Sequence, residues 1–354
     1  MRLRLGLALV ALLAGLLVGC GGEPSRNAVP APSTNAGPGE PAPTPTQRST
    51  QAPTGQSDPD PAPTRRCGGV SYGDVLGPKP KLGHAKLRKT RVMPAVCAAY
   101  WAPHLDDYFT PQALEIQGDL AYVGGYKWNR SVSRRPCQIA VIDTRTGRTL
   151  AFVKKFQAPV YGPTPTYCRH GGGMDMDSHG LWVAELERLW LLDPAKLGKG
   201  DPVLRVWRLD KRVRGATVLI DGNRIGFGSY RPASTGKLRW FSVADVLRPG
   251  RTLISGPASV ERVPVRLQGI SSTDKGLWFS SSDAHCASLK APGHKPVTFV
   301  HGAEDVEIRG PDLWTVSEAG VKAYLHGRDP IVPSLLRLDK RAVLAGGAPT
   351  CRWL

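Results

Sequence analysis

The chain has 354 residues, a formal net charge of +18 at pH 7 and seven cysteines. No two cysteines have the Cys-x-x-Cys spacing of structural zinc sites, which argues against a zinc-binding domain. The basic residues are scattered along the sequence rather than clustered, apart from the runs 86–91 and 211–214. A solvated basic surface explains both runs, so we do not expect a nucleic-acid-binding protein.

The first twenty residues have the organisation of a secretory signal. Arg2 and Arg4 precede an apolar run of 14 residues, 5–18, which contains no charge. This run is too short to span a hydrocarbon core of about 30 Å comfortably as a helix. It ends in Leu17-Val18-Gly19-Cys20, which resembles the lipobox of bacterial lipoproteins. The resemblance implies cleavage before Cys20 and attachment of a lipid to its sulfur, which would anchor the protein to the cell membrane.

An ordinary signal peptide with an incidental cysteine, or an uncleaved anchor, is the alternative to this interpretation. We predict a lipoprotein signal peptide at residues 1–19 and a lipid-anchored linker at residues 20–66. The linker consists mainly of Pro, Thr, Ser, Gly, Ala and Gln. It holds too little apolar surface to offset the entropy lost on ordering, and its prolines favour extended conformations. We therefore expect a disordered spacer.

The remaining residues, 67–354, are numerous enough for a domain with a sizeable core. They carry nearly all of the charge, because loss of Arg2 and Arg4 lowers the net charge only from +18 to +16 and the linker is neutral. Outside the cell, a basic surface suits anionic wall polymers or lipid head groups. The expected partners are the membrane, through the lipid, and an anionic wall polymer, another envelope protein or a small-molecule ligand.

If Cys20 carries lipid, six cysteines remain, and an even number in a secreted chain predicts three disulfides. Their pairing is open; one arrangement would join Cys67 to Cys351 and so connect the two ends of the domain. The six candidates are Cys67, Cys97, Cys137, Cys168, Cys286 and Cys351.

A polar or glycine-containing turn followed by a compact apolar and aromatic strand recurs five times. These strands begin at Ala121, Leu181, Ile225, Leu277 and Leu313, at steps of 60, 44, 52 and 36 residues. The spacing is typical of a four-stranded propeller blade of roughly 40–50 residues. A β-sandwich would not explain such regular steps, so we predict an all-β protein with a β-propeller of five or six blades.

Further short strands complete each repeat. Before the turns lie residues 113–116, 173–176, 216–219, 269–271 and 306–308. Third strands are predicted at 138–143, 188–193, 237–241 and 322–325, and fourth strands at 149–153 and 203–207. Residues 67–109 are not another copy. They form an N-terminal extension that supplies either a strand closing the ring or a degenerate sixth blade.

The Leu-Trp-Val-type strands, together with residues 111–114, 268–270 and 303–305, loosely resemble bacterial extracytoplasmic propellers of the gluconolactonase-like, NHL and YVTN groups. In gluconolactonase-like enzymes, the resemblance implies a divalent cation held by a Glu at the start of a first strand and by Asn and Asp from other blades. Glu304 matches the first role, whereas Asn223 lies in an outer turn. Function varies widely within such a fold.

Polar residues recur at one edge of the predicted blades. In an antiparallel hairpin, the start of the first strand and the end of the second lie at the same edge. The first strand of each blade lines the central channel, so these positions surround its mouth, and a concave group of polar side chains is the default candidate for a binding site. The candidates are Gln112, Tyr126, His170, Glu185, Tyr230, Gln268, Glu304 and Glu318, and Arg214 occupies the corresponding position of the third repeat.

Among these candidates, His170 is unusual because the three glycines 171–173 follow it. It is a candidate base or metal ligand beside Glu185, Glu304 and Glu318. Alternatively, the glycines shape a tight start to the blade and His170 only hydrogen-bonds a carbonyl group.

Other notable side chains are explained by the fold. Tryptophans occupy equivalent positions in three repeats, at Trp182, Trp278 and Trp314, where a core between blades is favoured over carbohydrate stacking. Asp175 and Asp177 alternate along one strand and are expected to cap the turn before Leu181.

No nucleophile elbow, zinc-protease motif or phosphate-binding loop occurs in the sequence. We therefore predict no catalytic residue, no metal and no cofactor. The predicted function is a non-catalytic binding or scaffolding module of the cell envelope. The alternative is a metal-dependent hydrolase or lactonase that acts at the channel mouth.

Overall fold

The computed structural model of the protein describes residues 67–81, 86–325 and 330–354. Residues 1–66, with the predicted signal peptide, the candidate lipidation site Cys20 and the linker, lie outside the described residues. The described part consists mainly of β-strands, in five sheets of four or more strands and one short hairpin. No helix within these three ranges is long and apolar enough to cross a membrane.

The strands follow one another blade by blade. First in the chain is β1 (Val96–Tyr100). Blade 1 contains β2 (Phe109–Gln117), β3 (Leu120–Lys127), β4 (Cys137–Asp143) and β5 (Thr149–Val153), and the hairpin β6 (Gln157–Pro159) and β7 (Pro165–Tyr167) follows it. Blade 2 contains β8 (Gly173–Asp177), β9 (Gly180–Ala184), β10 (Arg188–Leu192) and β11 (Val203–Leu209).

Blade 3 contains β12 (Thr217–Asp221), β13 (Arg224–Gly228), β14 (Gly236–Ser242) and β16 (Ser259–Val263). Between the last two lie helix α1 (Val243–Leu247) and β15 (Leu253–Ile254), which pairs in parallel with β11 of blade 2. Blade 4 contains β17 (Leu267–Thr273), β18 (Gly276–Asp283), β19 (Cys286–Lys290) and β20 (Val297–Thr298). Blade 5 contains β21 (Ala303–Arg309), β22 (Asp312–Ser317) and β23 (Leu335–Asp339), and helix α2 (Lys340–Leu344) follows. Single 3-10 turns lie at Tyr72–Asp74, Met93–Ala95, Leu105–Asp107, Val132–Arg134 and Pro194–Lys196.

Strand β1 completes the ring of blades. It pairs antiparallel with β23, with Tyr100 opposite Leu335, and is thus the outermost strand of blade 5. Joining the two ends of a propeller in one blade leaves no open edge in the ring. The predicted propeller is confirmed with five blades. Of the two interpretations of residues 67–109, the closing strand is correct and the sixth blade is wrong.

The third strand predicted at Lys322–Leu325 is also wrong. The amides of Tyr324 and Leu325 both donate to the carbonyl of Val321, at 2.9 and 3.2 Å, so this segment is a turn. The third strand of blade 5 is instead β23, Leu335–Asp339. Four residues of mixed polarity do not distinguish a strand from a turn, because local hydrogen bonds compete with the sheet.

The first strands of the blades contact one another in a closed ring, from β2 through β8, β12, β17 and β21 back to β2. The three equivalent tryptophans are 0%, 5% and 5% exposed, at Trp182, Trp278 and Trp314. Their burial confirms the core interpretation and excludes ligand stacking on these rings.

Three disulfides join the six candidate cysteines, as predicted. The pairs are Cys67–Cys97, Cys137–Cys168 and Cys286–Cys351. Pairing of Cys67 with Cys351 is wrong, because the amides of Gly68 and Gly69 bond to Val96 and place Cys67 beside the closing strand. Disulfides persist in oxidising compartments, so these three bonds indicate an extracytoplasmic protein.

Candidate functional site

The channel mouth contains a cavity of about 250 Å³, which we call the floor pocket. It is lined by seven of the eight predicted residues: Gln112, Tyr126, His170, Tyr230, Gln268, Glu304 and Glu318. The eighth, Glu185, lines a neighbouring cavity of about 490 Å³, which we call the basic pocket. The edge rule for antiparallel hairpins thus brings side chains from all five blades to one end of the ring. That these residues bind a ligand remains a prediction.

Two carboxyl groups form the centre of the floor pocket. Glu304 lies near the start of β21 and Glu318 directly follows β22, and the pairing of Ala303 with Ser317 places them side by side. Their carboxyl groups are hydrogen-bonded to each other. Burial and the facing carboxyl group raise the pKa of Glu304 well above its usual value, and exclusion of water raises the pKa of Glu318 to about 7. The pair therefore holds a shared proton near neutral pH.

Two amide side chains donate hydrogen bonds to this pair. Gln112 Nε2 donates to Glu318 Oε2 at 2.7 Å, and Gln268 Nε2 donates to Glu304 Oε1 at 3.1 Å. Gln112 comes from blade 1 and Gln268 from blade 4, so three blades contribute to one polar network. A buried network of this kind fixes the directions of its donors and acceptors.

Stacked rings form one wall of the floor pocket. The rings of Tyr126 and His170 lie 4.4 Å apart and nearly parallel, and the Tyr126 hydroxyl lies 3.1 Å from that of Tyr324. The Arg135 guanidinium lies 5.1 Å from the Tyr126 ring centre. Burial and the positive charge of Arg135 lower the pKa of His170 to about 4, so its imidazole is neutral at pH 7.

The glycines after His170 have a packing role. A Cβ atom on Gly172 would lie 2.7 Å from the carbonyl oxygen of Ala216, and one on Gly173 would lie 2.4 Å from the amide nitrogen of Val218. Only glycine permits this approach of blade 2 to blade 3. His170 itself has a positive φ of 55°, and its amide donates to the carbonyl of Arg135 at 2.9 Å.

Glu185 is held inside blade 2. Its carboxylate accepts hydrogen bonds from the Arg169 amide and from Nε of Arg188, and both Glu185 and Arg188 are 1% exposed. Burial raises the pKa of Glu185 to about 6, against the opposing effect of Arg188. With Cys137 and Cys168, Glu185 forms the one group of three close ligand-type residues found among the described residues. The two sulfurs are joined in a disulfide and provide no thiolate ligand.

The basic pocket contains Arg214, which the edge rule had placed at the mouth, and adds cationic residues that the sequence did not single out as ligand-binding candidates. Four cationic side chains line it: Arg169, Lys211, Arg214 and Arg231. Glu187 pairs with Arg169 at 2.8 Å and with Arg214 at 3.2 Å. Arg135 and Tyr324 were missed in the floor pocket as well. The run 211–214 was the one available signal, since it directly precedes the first strand of blade 3.

The gluconolactonase-like cation site does not fit these residues. Glu304 lies where the resemblance places it, but no Asn or Asp lines the floor pocket as described. The nearest amides present Nε2 hydrogens to the carboxyl pair, whereas a hard cation needs converging oxygen ligands. We therefore derive no metal-assisted step at this mouth.

No protein-family model matches the sequence, and a search of curated proteins finds no match. Among solved structures, BamB from Moraxella catarrhalis is 13% identical over 64% of this chain, with a TM-score of 0.29, and the chain spans 58% of that structure's length. The Pan2 WD40 domain of Neurospora crassa is 10% identical over 70% of this chain and 68% of that one, with a TM-score of 0.36. A glucose dehydrogenase is 12% identical over 74% of this chain and 86% of that one, with a TM-score of 0.35. At such values these similarities carry no functional argument.

Proposed function

We propose that the protein is a non-catalytic binding module of the cell envelope, and that its ligand enters the channel mouth. The observation that carries this proposal is the convergence of polar side chains from several blades on the floor pocket. Concave sites with a few fixed polar groups are the usual form of a small-molecule site. Because the network is already hydrogen-bonded, a ligand would meet preorganised partners.

Binding is favoured over catalysis by the state of the ionisable groups. His170 is neutral and stacked, and the carboxyl groups of Glu304 and Glu318 are engaged with each other and with amides. General acid–base catalysis needs a base directed at a reacting proton, and nucleophilic catalysis needs an activated nucleophile. Ser229 donates to the carbonyl of Lys237 rather than to a base. The Tyr324 hydroxyl is hydrogen-bonded to Glu318, but burial and that carboxyl group raise its pKa, so it stays protonated and is not an activated nucleophile.

The proposal includes display of the propeller from the membrane by lipid on Cys20, with residues 21–66 as the spacer. It is supported by the lipobox-like sequence and by the three disulfides, which indicate an extracytoplasmic domain. The substitution Cys20→Ser should release the protein from the membrane fraction and remove the lipid mass from its N-terminus. Membrane retention of the Cys20→Ser protein would contradict the anchor.

Isothermal titration of the secreted Cys20→Ser chain with sugars, nucleotides, amino acids and organic acids tests the proposed binding function. We expect at least one ligand whose affinity falls about tenfold or more in Gln112→Ala and in Gln268→Ala, since each loses a hydrogen bond to a charged or buried group. Asn223→Ala, in an exposed turn at the opposite face, is the matched control. Turnover of a lactone or phosphoester that depends on an added divalent ion and is lost in Glu304→Gln would instead favour the hydrolase.

A further inference from the structure

We propose that the ligand is an acidic saccharide, whose anionic group lies in the basic pocket and whose hydroxyl groups lie on the floor pocket. This inference rests on the proposed function, because it assigns a ligand class to the same mouth. The two pockets are continuous, one is positively charged, and the other presents hydrogen-bonding groups.

The two pockets form one continuous surface. His170, Leu186, Ala216 and Tyr230 line both of them. Their volumes, about 490 and 250 Å³, lie within or near the range of roughly 300–1,000 Å³ that is typical of small-molecule sites. A ligand of one or two sugar rings is therefore able to touch both pockets at once.

The basic pocket has an excess of positive charge. Glu187 forms ion pairs with two of the pocket's four cations, Arg169 and Arg214. No carboxylate in the described ranges forms an ion pair with the other two, Lys211 and Arg231. Glu185 does not offset this excess, since its charge is matched by Arg188 inside the blade.

An unmet hydrogen-bond donor lies in the same place. Nε of Arg169 is buried and has no hydrogen-bond partner within the described structure. A buried donor without a partner is unfavourable unless a ligand or water satisfies it. Guanidinium groups form paired hydrogen bonds with carboxylates and phosphates, so an anionic group is the fitting occupant.

The floor pocket requires hydroxyl groups rather than an apolar body. Gln112, Gln268 and the Glu304–Glu318 pair present acceptors, amide donors and one shared proton. A sugar hydroxyl both donates and accepts, and so matches such a mixed set. An apolar ligand would cover the remaining donor and acceptor sites of these groups without replacing their hydrogen bonds to water. The exposed Tyr230, which lines both pockets, offers a flat apolar face beside them.

The test is isothermal titration of the full secreted Cys20→Ser chain at pH 7 with glucuronic acid, glucose 6-phosphate, glucose and inorganic phosphate. We expect at least one of the two acidic sugars to bind about tenfold or more tightly than both glucose and inorganic phosphate. In the double variant Lys211→Gln/Arg231→Gln, that acidic sugar should lose about tenfold or more in affinity while glucose does not change. Both side chains are exposed, so the fold should persist. Lys275→Gln, with the same charge change in an exposed turn at the opposite face, should have no effect.

Each outcome decides the inference. Stronger binding of glucuronic acid identifies a carboxylated sugar, and stronger binding of glucose 6-phosphate identifies a phosphorylated one. Equal binding of glucose and the acidic sugars overturns the anionic part, and inorganic phosphate as tight as glucose 6-phosphate overturns the saccharide part. Absence of binding by all four probes overturns the acidic-saccharide class. The wider binding proposal fails separately, if its ligand screen with Gln112→Ala finds no ligand.

Discussion

Acidic side chains form two groups, a mouth group (Glu304 and Glu318) and an inner group on the first strands of the blades (Glu115, Asp175, Asp305 and Glu307). The two groups are stabilised in different ways. At the mouth, Glu304 and Glu318 share a proton and accept from glutamine amides. In the inner group, Glu115 accepts a hydrogen bond from Nη2 of Arg309 at 2.7 Å, and Glu307 forms an ion pair with Nη1 of Arg309 at 3.1 Å. The inner group therefore has a permanent cation, whereas the mouth group has a proton that is able to leave.

Only carboxyl groups of the inner group accept hydrogen bonds from backbone amides of a neighbouring blade. Asp305 Oδ2 accepts from the amide of Leu114 in blade 1, at 2.9 Å, and Asp175 Oδ2 accepts from the amide of Ile220 in blade 3. These carboxyl groups join neighbouring blades, so the inner group belongs to the structure of the ring. The mouth group contacts side chains that face a cavity, which is the arrangement expected of groups that exchange their partners for a ligand.

The largest expected effect on stability comes from breaking a hydrogen bond between blades in the inner group. Asp305→Ala removes the acceptor for the buried amide of Leu114 and should lower the free energy of unfolding by about 2–4 kcal/mol, since a stranded buried donor adds to the lost hydrogen bonds. Urea denaturation at pH 7 measures it. Asp305→Asn retains an acceptor and should recover part of the loss. If Asp305→Ala lowered the free energy of unfolding by less than about 1 kcal/mol, the inner group would not be what joins the neighbouring blades.

Removing the inner cation should have a smaller and pH-dependent effect. Burial raises the pKa of Glu115 and that of Glu307, and Arg309 opposes both shifts. A raised pKa gives stability at low pH that is lost as pH rises through the folded-state value. Arg309→Met should therefore lose about 1–3 kcal/mol at pH 8, discounted for the partial exposure of Arg309, and less at pH 5. Equal losses at both pH values, measured by urea denaturation, would count against Arg309 as the neutralising group.

The blades could be predicted from the sequence because turn residues and strand alternation are local signals. The edge rule then located seven floor-pocket residues, since topology alone dictates that the start of each first strand and the end of each second strand lie at one edge. Residues on longer connections escaped it. Arg135 and Tyr324 reach the mouth through turns whose paths depend on contacts such as the hydrogen bond from His170 N to Arg135 O.

Contacts between blades were equally beyond prediction. Asp177 caps its turn as expected, by accepting from the amide of His179 at 2.9 Å. Asp175, two residues earlier on the same strand, instead reaches the amide of Ile220 in the next blade. Both positions look alike in sequence, because the neighbouring blade that distinguishes them is distant along the chain. The pairing of Cys67 with Cys97 was hidden for the same reason, as it depends on where β1 closes the ring.

At the mouth, the shared proton should appear as a pH dependence of stability. The folded-state pKa of Glu318 is raised to about 7, so its stabilising effect is complete below its unfolded value and declines as pH rises toward 7. Between pH 5 and pH 8, wild type should lose about 2 kcal/mol more than Glu318→Gln, which no longer titrates there. Denaturation at both pH values measures it. Parallel losses in the two proteins would mean that the pair does not hold a proton.

The smallest effect on stability is expected at His170. Its pH dependence has the opposite sign to that of Glu318. Its pKa is lowered to about 4, so neutral His170 contributes stability above its unfolded pKa of about 6.5, and this is lost as pH falls toward 4. His170→Asn keeps a residue that tolerates positive φ but removes the stack on Tyr126. It should be about 0.5–1 kcal/mol less stable than wild type at pH 7.5 and no less stable at pH 5. His294→Asn, at an exposed position in blade 4, controls for the substitution itself. A larger deficit at pH 5 than at pH 7.5 would show that His170 is protonated in the fold, and the mouth would then carry a second titrating group beside the carboxyl pair.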